Sequence, residues 1–309
     1  MMCVDSVNTG TALPERESHQ MNHPIVNAMS FDIEDWFHMV GIESVEDIER
    51  WDTFPSLVER YTDGIIEQLA AHRTRATFFI LGWVADRYPA IVRRIVDSGH
   101  EVGTHSFWHR RVDRLEPHVF EEDLRKSIDA IEQAGGQKVR GFRAPSFSIR
   151  PGAEWAFDVM LDCGLEYDAS LFPAPRGHGG YPAPRGIHRF TDMPSGRSIP
   201  ELPMSVMKLG PAGLGFTGGG YLRFLPGWFI KQGIRRLNRQ GRPAVVYLHP
   251  RDFAPDCPRV AMPLKRRFKC YVGLKTTHGK LDTLLSSFHW AACETILGLD
   301  STATGDAAA

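Results

Sequence analysis

Residues 76–103 read ATFFILGWVADRYPAIVRRIVDSGHEVG. An apolar run from Ala76 to Leu81 has strand length, Pro89 to Ser98 has helical periodicity with proline at its start, and Glu101 to Gly103 opens a second strand. Strand, helix and strand in one short stretch form a βαβ unit, and such a crossover joins parallel strands. The same alternation extends both ways. Upstream, Ile25 to Ile33 is expected as a strand and Ser56 to His72 as a helix. Downstream, helices are expected over Pro117 to Gln133 and Gly152 to Cys163, with strands over Val139 to Phe142 and Glu166 to Tyr167. From Pro173 to Gly220 the rhythm gives way to Gly and Pro, which reads as a loop and hairpin insertion near the site's mouth. A helix over Tyr221 to Arg239, a strand over Ala244 to His249 and a helix around Lys280 to Phe288 complete the pattern. The expected fold is therefore α/β, a (β/α) barrel in a single domain.

Residues 1–22 and 300–309 are polar and aperiodic and read as disordered tails around a catalytic domain spanning 23–299. The chain has 36 Lys+Arg against 37 Asp+Glu, so the basic excess that phosphate backbones require is missing and nucleic acid is not expected as a partner. Five cysteines without a CxxC pair suit a reducing compartment. Neither a signal peptide nor a span of about 18 apolar residues is seen, so a cytoplasmic location is expected.

Chemistry collects at the ends of the expected strands. Ser30-Phe31-Asp32-Ile33-Glu34-Asp35 closes the first, and alternation places Asp32 and Glu34 on one face with Asp35 on the other. His105-Ser106-Phe107-Trp108-His109 follows the third, where two histidines four apart would converge on a divalent ion from one helical turn. Arg143, in Gly141-Phe142-Arg143-Ala144-Pro145-Ser146-Phe147, can hold a carboxylate by a bidentate contact. Asp168 follows the next short strand, and His249 ends Val245-Val246-Tyr247-Leu248-His249. Taken singly, each has an ordinary structural reading. Five such features at the carboxyl rim of one barrel point to an active site.

Together these segments resemble the five motifs of the polysaccharide deacetylase superfamily, carbohydrate esterase family 4, whose domain is a distorted (β/α) barrel. HSFWH looks like the family's metal motif, RAPSF its Arg motif, DASLFP its Asp-Ser-Pro motif and LHP its histidine motif. FDIEDWF, the Glu201-Leu202-Pro203 segment, the Gly218–Arg223 run and YLHP look like deacetylases of exopolysaccharide gene clusters. The first motif departs from the family's adjacent aspartates, because Ile33 follows Asp32. The Asp-x-Asp variant would make Asp32 the base and Glu34 the third metal ligand, with Asp35 as the alternative.

The resemblance implies a metal held by Glu34, His105 and His109, zinc first by ligand type, with cobalt, nickel or manganese also compatible. Arg143 would keep Asp32 ionised, the Ser146 N–H would meet the oxyanion, and His249, supported by Asp168, would protonate the leaving amine. Trp36, Phe37, Phe107 and Trp108 are candidate faces for sugar rings. The implied substrate is an N-acetylated glycan or a lipid-linked or oligosaccharide precursor. Rival readings are a cyclic amide or ureide hydrolase on the same scaffold, an inactive sugar-binding homologue, and a non-haem iron oxygenase. A further departure, Arg251-Asp252 after the last His-Pro, is expected at the substrate lip.

Overall fold

The computed structural model describes residues 24–175, 177, 179–209 and 212–300; the tails expected at 1–22 and 300–309 lie outside these except for Asp300. Among the described residues, nine strands form one sheet. In chain order they are β1 (Val26–Ile33), β2 (Thr77–Ile80), β3 (Glu101–Thr104), β4 (Gly141–Phe142), β5 (Tyr167–Asp168), β6 (His188–Phe190) and β7 (Ile199–Glu201). After the separate hairpin β8 (Val206–Leu209) and β9 (Ala212–Gly215) come β10 (Val245–Leu248) and β11 (His289–Ala291). The spatial order is β10-β1-β2-β3-β4-β5-β7-β6, with β11 added along the first half of β1. All these pairings are parallel except β6 with β7. The curled sheet stays open between β6 and β10, so the barrel is a half-barrel.

Among the described residues there are ten α-helices: α1 (Val58–Ala71), α2 (Gly82–Arg87), α3 (Pro89–Asp97), α4 (Pro117–Gly135), α5 (Trp155–Asp162), α6 (Gly219–Phe224), α7 (Gly227–Asn238), α8 (Leu264–Tyr271), α9 (Thr277–Leu285) and α10 (Cys293–Ile296). The single helix expected over 221–239 is two helices. Pro226 lacks the amide hydrogen that a continuous helix needs, and it starts α7 instead. The insertion after Pro173 holds the hairpin β8/β9 as expected, yet its first part, β6 and β7, extends the main sheet. The short elements α2, α8, α10 and β11 were not legible in the sequence pattern.

Register explains why the rim is level. Ile33, Ile80, Thr104, Phe142, Asp168 and Glu201 are successive partners across six strands. Thr104 and Phe142 in this row turn toward α4, through a Thr104–Ser127 hydroxyl contact of 2.7 Å and the Phe142–Phe120 ring pair. The residues before and after the row point the other way, into the curl. Hence Asp32, Glu34, His105 and Arg143 share the inner face. Phe79, Phe147, Tyr167 and Tyr247 form the apolar layer there. Gly141 makes room for it: a Cβ at this position would lie 2.1 Å from the Tyr167 ring.

Deeper in the curl, Glu101 is buried and accepts hydrogen bonds from the Tyr167 hydroxyl (2.6 Å), the Thr77 hydroxyl and the Glu294 amide (3.1 Å). Burial first, and then the neighbouring Glu294 charge, push its carboxyl up to about 7. The folded state therefore binds this proton more tightly than the unfolded chain. That contribution to stability is complete below about pH 4 and is lost as pH rises through 7. On this account Glu101→Gln flattens the fall in unfolding free energy between about pH 5 and 8, an effect on the order of 2–4 kcal/mol. Urea titrations at a series of pH values measure it, and an unchanged slope contradicts it.

Candidate active site and metal centre

β1 is buried from Asn27 to Ile33 and delivers Asp32 and Glu34 to the inner face at its carboxyl end. Asp32 Oδ1 accepts from Arg143 Nη1 at 2.8 Å, and the same nitrogen donates to Ser30 Oγ at 2.8 Å. Arg143 is fully buried, with its guanidinium 4.2 Å from the Phe79 ring centre and its Nε donating to Ala169 O. A buried cation on this scale persists only when paired and hydrogen-bonded. Asp32 Oδ2 is left facing His249 Nε2 at 3.7 Å.

Glu34, His105 and His109 each bring one ligand atom to within 4.8 Å of the others, and all three are buried. His105 Nδ1 lies 2.6 Å from the Arg143 carbonyl, which assigns its proton to that nitrogen and leaves Nε2 as a lone pair for a metal. Burial lowers the His105 pKa to about 4, so the ring is neutral at neutral pH, as ligation requires. Glu34 Oε2 and His109 Nε2 are 2.6 Å apart, yet Glu34 Oε2 has no hydrogen-bond partner, and neither does His109 Nδ1. Burial works to raise the Glu34 pKa, but His109, His249 and Arg251 outweigh it and hold the carboxyl well below its usual range. Two imidazoles and one ionised carboxylate with an orphaned oxygen suit a divalent cation, and three protein ligands leave positions open for water or substrate.

The loop that makes the two histidines converge is not the helical turn expected. Ser106 (φ 67°) and His109 (φ 53°) both lie in the left-handed region, so the chain doubles back immediately after β3. Asp123 on α4 fixes this loop by accepting from the Phe107 and Trp108 amides at 2.7 and 3.1 Å, and Ser106 Oγ accepts from the His109 amide at 3.1 Å. Asp35 is not positioned as a ligand. Its carboxylate accepts from the amides of Trp36, Leu57 and Val58 and from Ser56 Oγ, tying β1 to the start of α1. Ser146 sits in the Pro145–Phe147 turn just after Arg143, with φ 59°.

His249 follows β10, and its Nδ1 lies 2.9 Å from Asp252 Oδ2. This corrects the expectation that Asp168 supports it. Asp168 stands in the outward row of the register, where its oxygens accept from Ser170 N and Ser170 Oγ at 3.0 and 2.6 Å. Burial raises the pKa of both Asp168 and its neighbour Glu201. Asp252 is buried and accepts at Oδ1 from Arg223 Nε at 2.9 Å. Burial alone would raise Asp252, but Arg223, then His249, hold it far below the ordinary carboxylate range. His249 is drawn down by burial and up more strongly by Asp252 and Glu34, for a net rise.

The Gly218–Gly219 pair serves this arrangement. A Cβ on Gly219 would lie 1.8 Å from Asp252 Oδ2, and one on Gly218 would lie 2.3 Å from the Tyr247 ring. Arg251 also sits inside the site rather than at its lip, its Nε 3.8 Å from Glu34 Oε1.

A cleft of about 640 Å³ adjoins His109 and is lined by residues including Phe37, His38, Trp51, Trp108 and Arg110. Of the aromatic residues expected to face sugar rings, Trp36 and Phe107 are core side chains. Trp108 and the buried Phe37 reach the cleft. Trp51, 6.2 Å from Trp108 between ring centres, and His38 were not foreseen. His38 carries a buried, unpartnered Nε2, and its pKa is pushed well down by burial.

Residues 50–166 match the polysaccharide deacetylase family model. This stretch is similar to the polysaccharide deacetylase family. Residues 169–298 match a second model, a domain of unknown function named DUF3473. The site draws on both matches: His105, His109 and Arg143 lie in the stretch similar to the deacetylase family, and Arg223, His249 and Asp252 in the stretch similar to DUF3473. Among curated relatives, the chain is 30% identical to a Bacillus cereus peptidoglycan-N-acetylglucosamine deacetylase over 28% of this chain and 31% of that protein. It is 35% identical to a Bradyrhizobium chitooligosaccharide deacetylase over 32% of this chain and 43% of that protein. The matches thus span less than half the length of these relatives. The fold matches the crystal structure of a Mycobacterium smegmatis protein assigned to the polysaccharide deacetylases, with TM-score 0.58, 16% identity and coverage of 89% of this chain and 93% of that one.

Proposed function

We propose that the protein is a metal-dependent hydrolase that removes acetyl groups from the nitrogen of amino sugars in a polysaccharide or its precursor. One observation carries this reading: the Glu34–His105–His109 cluster is flanked by an Arg-paired carboxylate, Asp32, and by an Asp-paired imidazole, His249. A sugar-binding protein has no need of a base and an acid placed 3.7 Å apart beside ligand groups. Relatives named for deacetylation of N-acetylglucosamine in peptidoglycan and of chitooligosaccharides support the substrate class.

Glu34, His105 and His109 would hold the ion, zinc by its preference for imidazole with carboxylate. When bound, such an ion supplies Lewis acidity to the amide carbonyl and makes water easier to deprotonate. Asp32 receives the proton of the attacking water at Oδ2, because Oδ1 is committed to Arg143. The Ser146 amide is the proposed donor to the developing oxyanion. His249 delivers a proton from Nε2 to the departing nitrogen, with Nδ1 anchored on Asp252. Trp108, backed by the buried Trp51, offers an apolar face to the sugar in the adjoining cleft.

Asp252 acts only through His249, and its replacement separates catalysis from binding. Asp252→Asn is expected to lower kcat about 10–100-fold with KM nearly unchanged and with the divalent ion retained. Asp168→Asn, acting on a pair outside the site, is expected to change melting temperature more than kcat. Equal kcat losses for the two variants would return Asp168 to the role of His249 partner. An acetate-release assay on N-acetylhexosamine oligomers and lipid-linked N-acetyl sugars tests the overall reading, and ring opening of cyclic amides without acetate release would replace it.

A further inference from the structure

We infer that the face built from α6 and α8 docks on the surface of an anionic lipid bilayer. Of the six exposed large apolar side chains among the described residues, four fall between positions 224 and 268: Phe224 (57% exposed), Trp228 (70%), Leu264 (81%) and Phe268 (53%). Leu264 and Phe268 are four apart on α8 and so share one side of it. Phe268 meets Phe224 of α6 edge to face, with 5.6 Å between ring centres. α8 has no buried residue at all, although a helix of eight residues does not hold itself together in water by propensity. It is held instead through its carboxyl end, where Arg223 donates to the carbonyls of Lys269, Cys270 and Val272. Arg266 turns inward to the carbonyls of Val40 and Gly41. Its apolar side is thereby left facing solvent.

Charge identifies the partner. The chain as a whole is balanced, but residues 202–281 contain 15 Lys+Arg against two Asp and no Glu. On α8, Lys265, Arg267 and Lys269 are exposed beside the bare Leu264 and Phe268. Basic side chains flanking exposed Leu, Phe and Trp are the composition of a segment that lies in the headgroup layer of an anionic bilayer. A nucleic acid would engage the charges and leave the aliphatic Leu264 unused. The surface is joined to the site, because Arg223, which carries the end of α8, also holds Asp252, and Phe224 is its neighbour in the chain. Docking there would bring His249 close to substrates carried on lipid, a consequence that rests on the deacetylase reading, whereas the docking itself does not.

Cosedimentation of the full chain with phosphatidylcholine vesicles, with and without phosphatidylglycerol, tests the inference with no turnover involved. The chain is expected to pellet with phosphatidylglycerol-containing vesicles and not with phosphatidylcholine alone. The double variant Leu264→Ser with Phe268→Ser, and separately Lys265→Glu with Arg267→Glu, are each expected to weaken binding at least about tenfold. Both should keep the wild-type melting temperature, since none of the four side chains is buried. Absence of pelleting with anionic vesicles overturns the inference. So does pelleting that survives both double variants, or duplex DNA displacing the vesicles with a dependence on Lys265 and Arg267 but none on Leu264 and Phe268.

Discussion

Asp32→Asn is expected to reduce kcat for acetate release by about 10²–10⁴-fold, the usual worth of a positioned general base. The substitution keeps the size of the side chain, and its carbonyl oxygen can still accept from Arg143 Nη1. It removes the basic oxygen that faces His249. Metal content and KM should stay near wild type, because Asp32 is not one of the three clustered ligand groups. Elemental analysis of the purified variant alongside its kinetics separates the two effects. Acetate release at the wild-type rate would remove Asp32 from the mechanism.

His105→Ala is expected to have the other large effect, abolishing divalent ion binding and with it measurable activity. Two physical facts make His105 the most informative of the three ligands. Its ring is buried with a pKa near 4, so it meets the metal without first losing a proton, and its Nδ1 is fixed by the Arg143 carbonyl. Binding to the folded state alone stabilises it, by about 4 kcal/mol at a thousandfold excess over Kd. Added zinc should therefore raise the melting temperature of the wild type and leave that of His105→Ala unmoved. An equal thermal shift in both proteins would place the ion elsewhere.

Much of this site was legible because it depends on strand periodicity. Asp32 and Glu34 fall on one face by alternation alone, and the register carries His105 and Arg143 to the same face. The Asp168 error has the same origin. One residue of parity separates the inward Tyr167 from the outward Asp168, and a two-residue strand gives the sequence reader nothing to fix that parity. The spacing of the histidine pair points to their convergence but not to the backbone that achieves it, since two left-handed residues other than glycine leave no compositional mark.

Asp252 was visible three residues after His249, but what makes it the partner is Arg223, 29 positions away on α6, together with the bare backbone of Gly219. Such a contact follows from the tertiary fold and not from local pattern. α8 leaves no periodic signature because it buries no face, and periodicity marks helices by the face they bury.

The proposed site pairs an ion at Glu34, His105 and His109 with Asp32 and His249 for cleavage of an N-acetyl group. The most direct measurement is acetate and free-amine release from N-acetylhexosamine oligomers and lipid-linked N-acetyl sugars, by the chain as purified, after chelation, and after restoring zinc. Acetate and amine are expected in equal amounts, lost on chelation and recovered with zinc. Zinc bound at one ion per chain with no acetate released from any of these substrates would contradict the proposal.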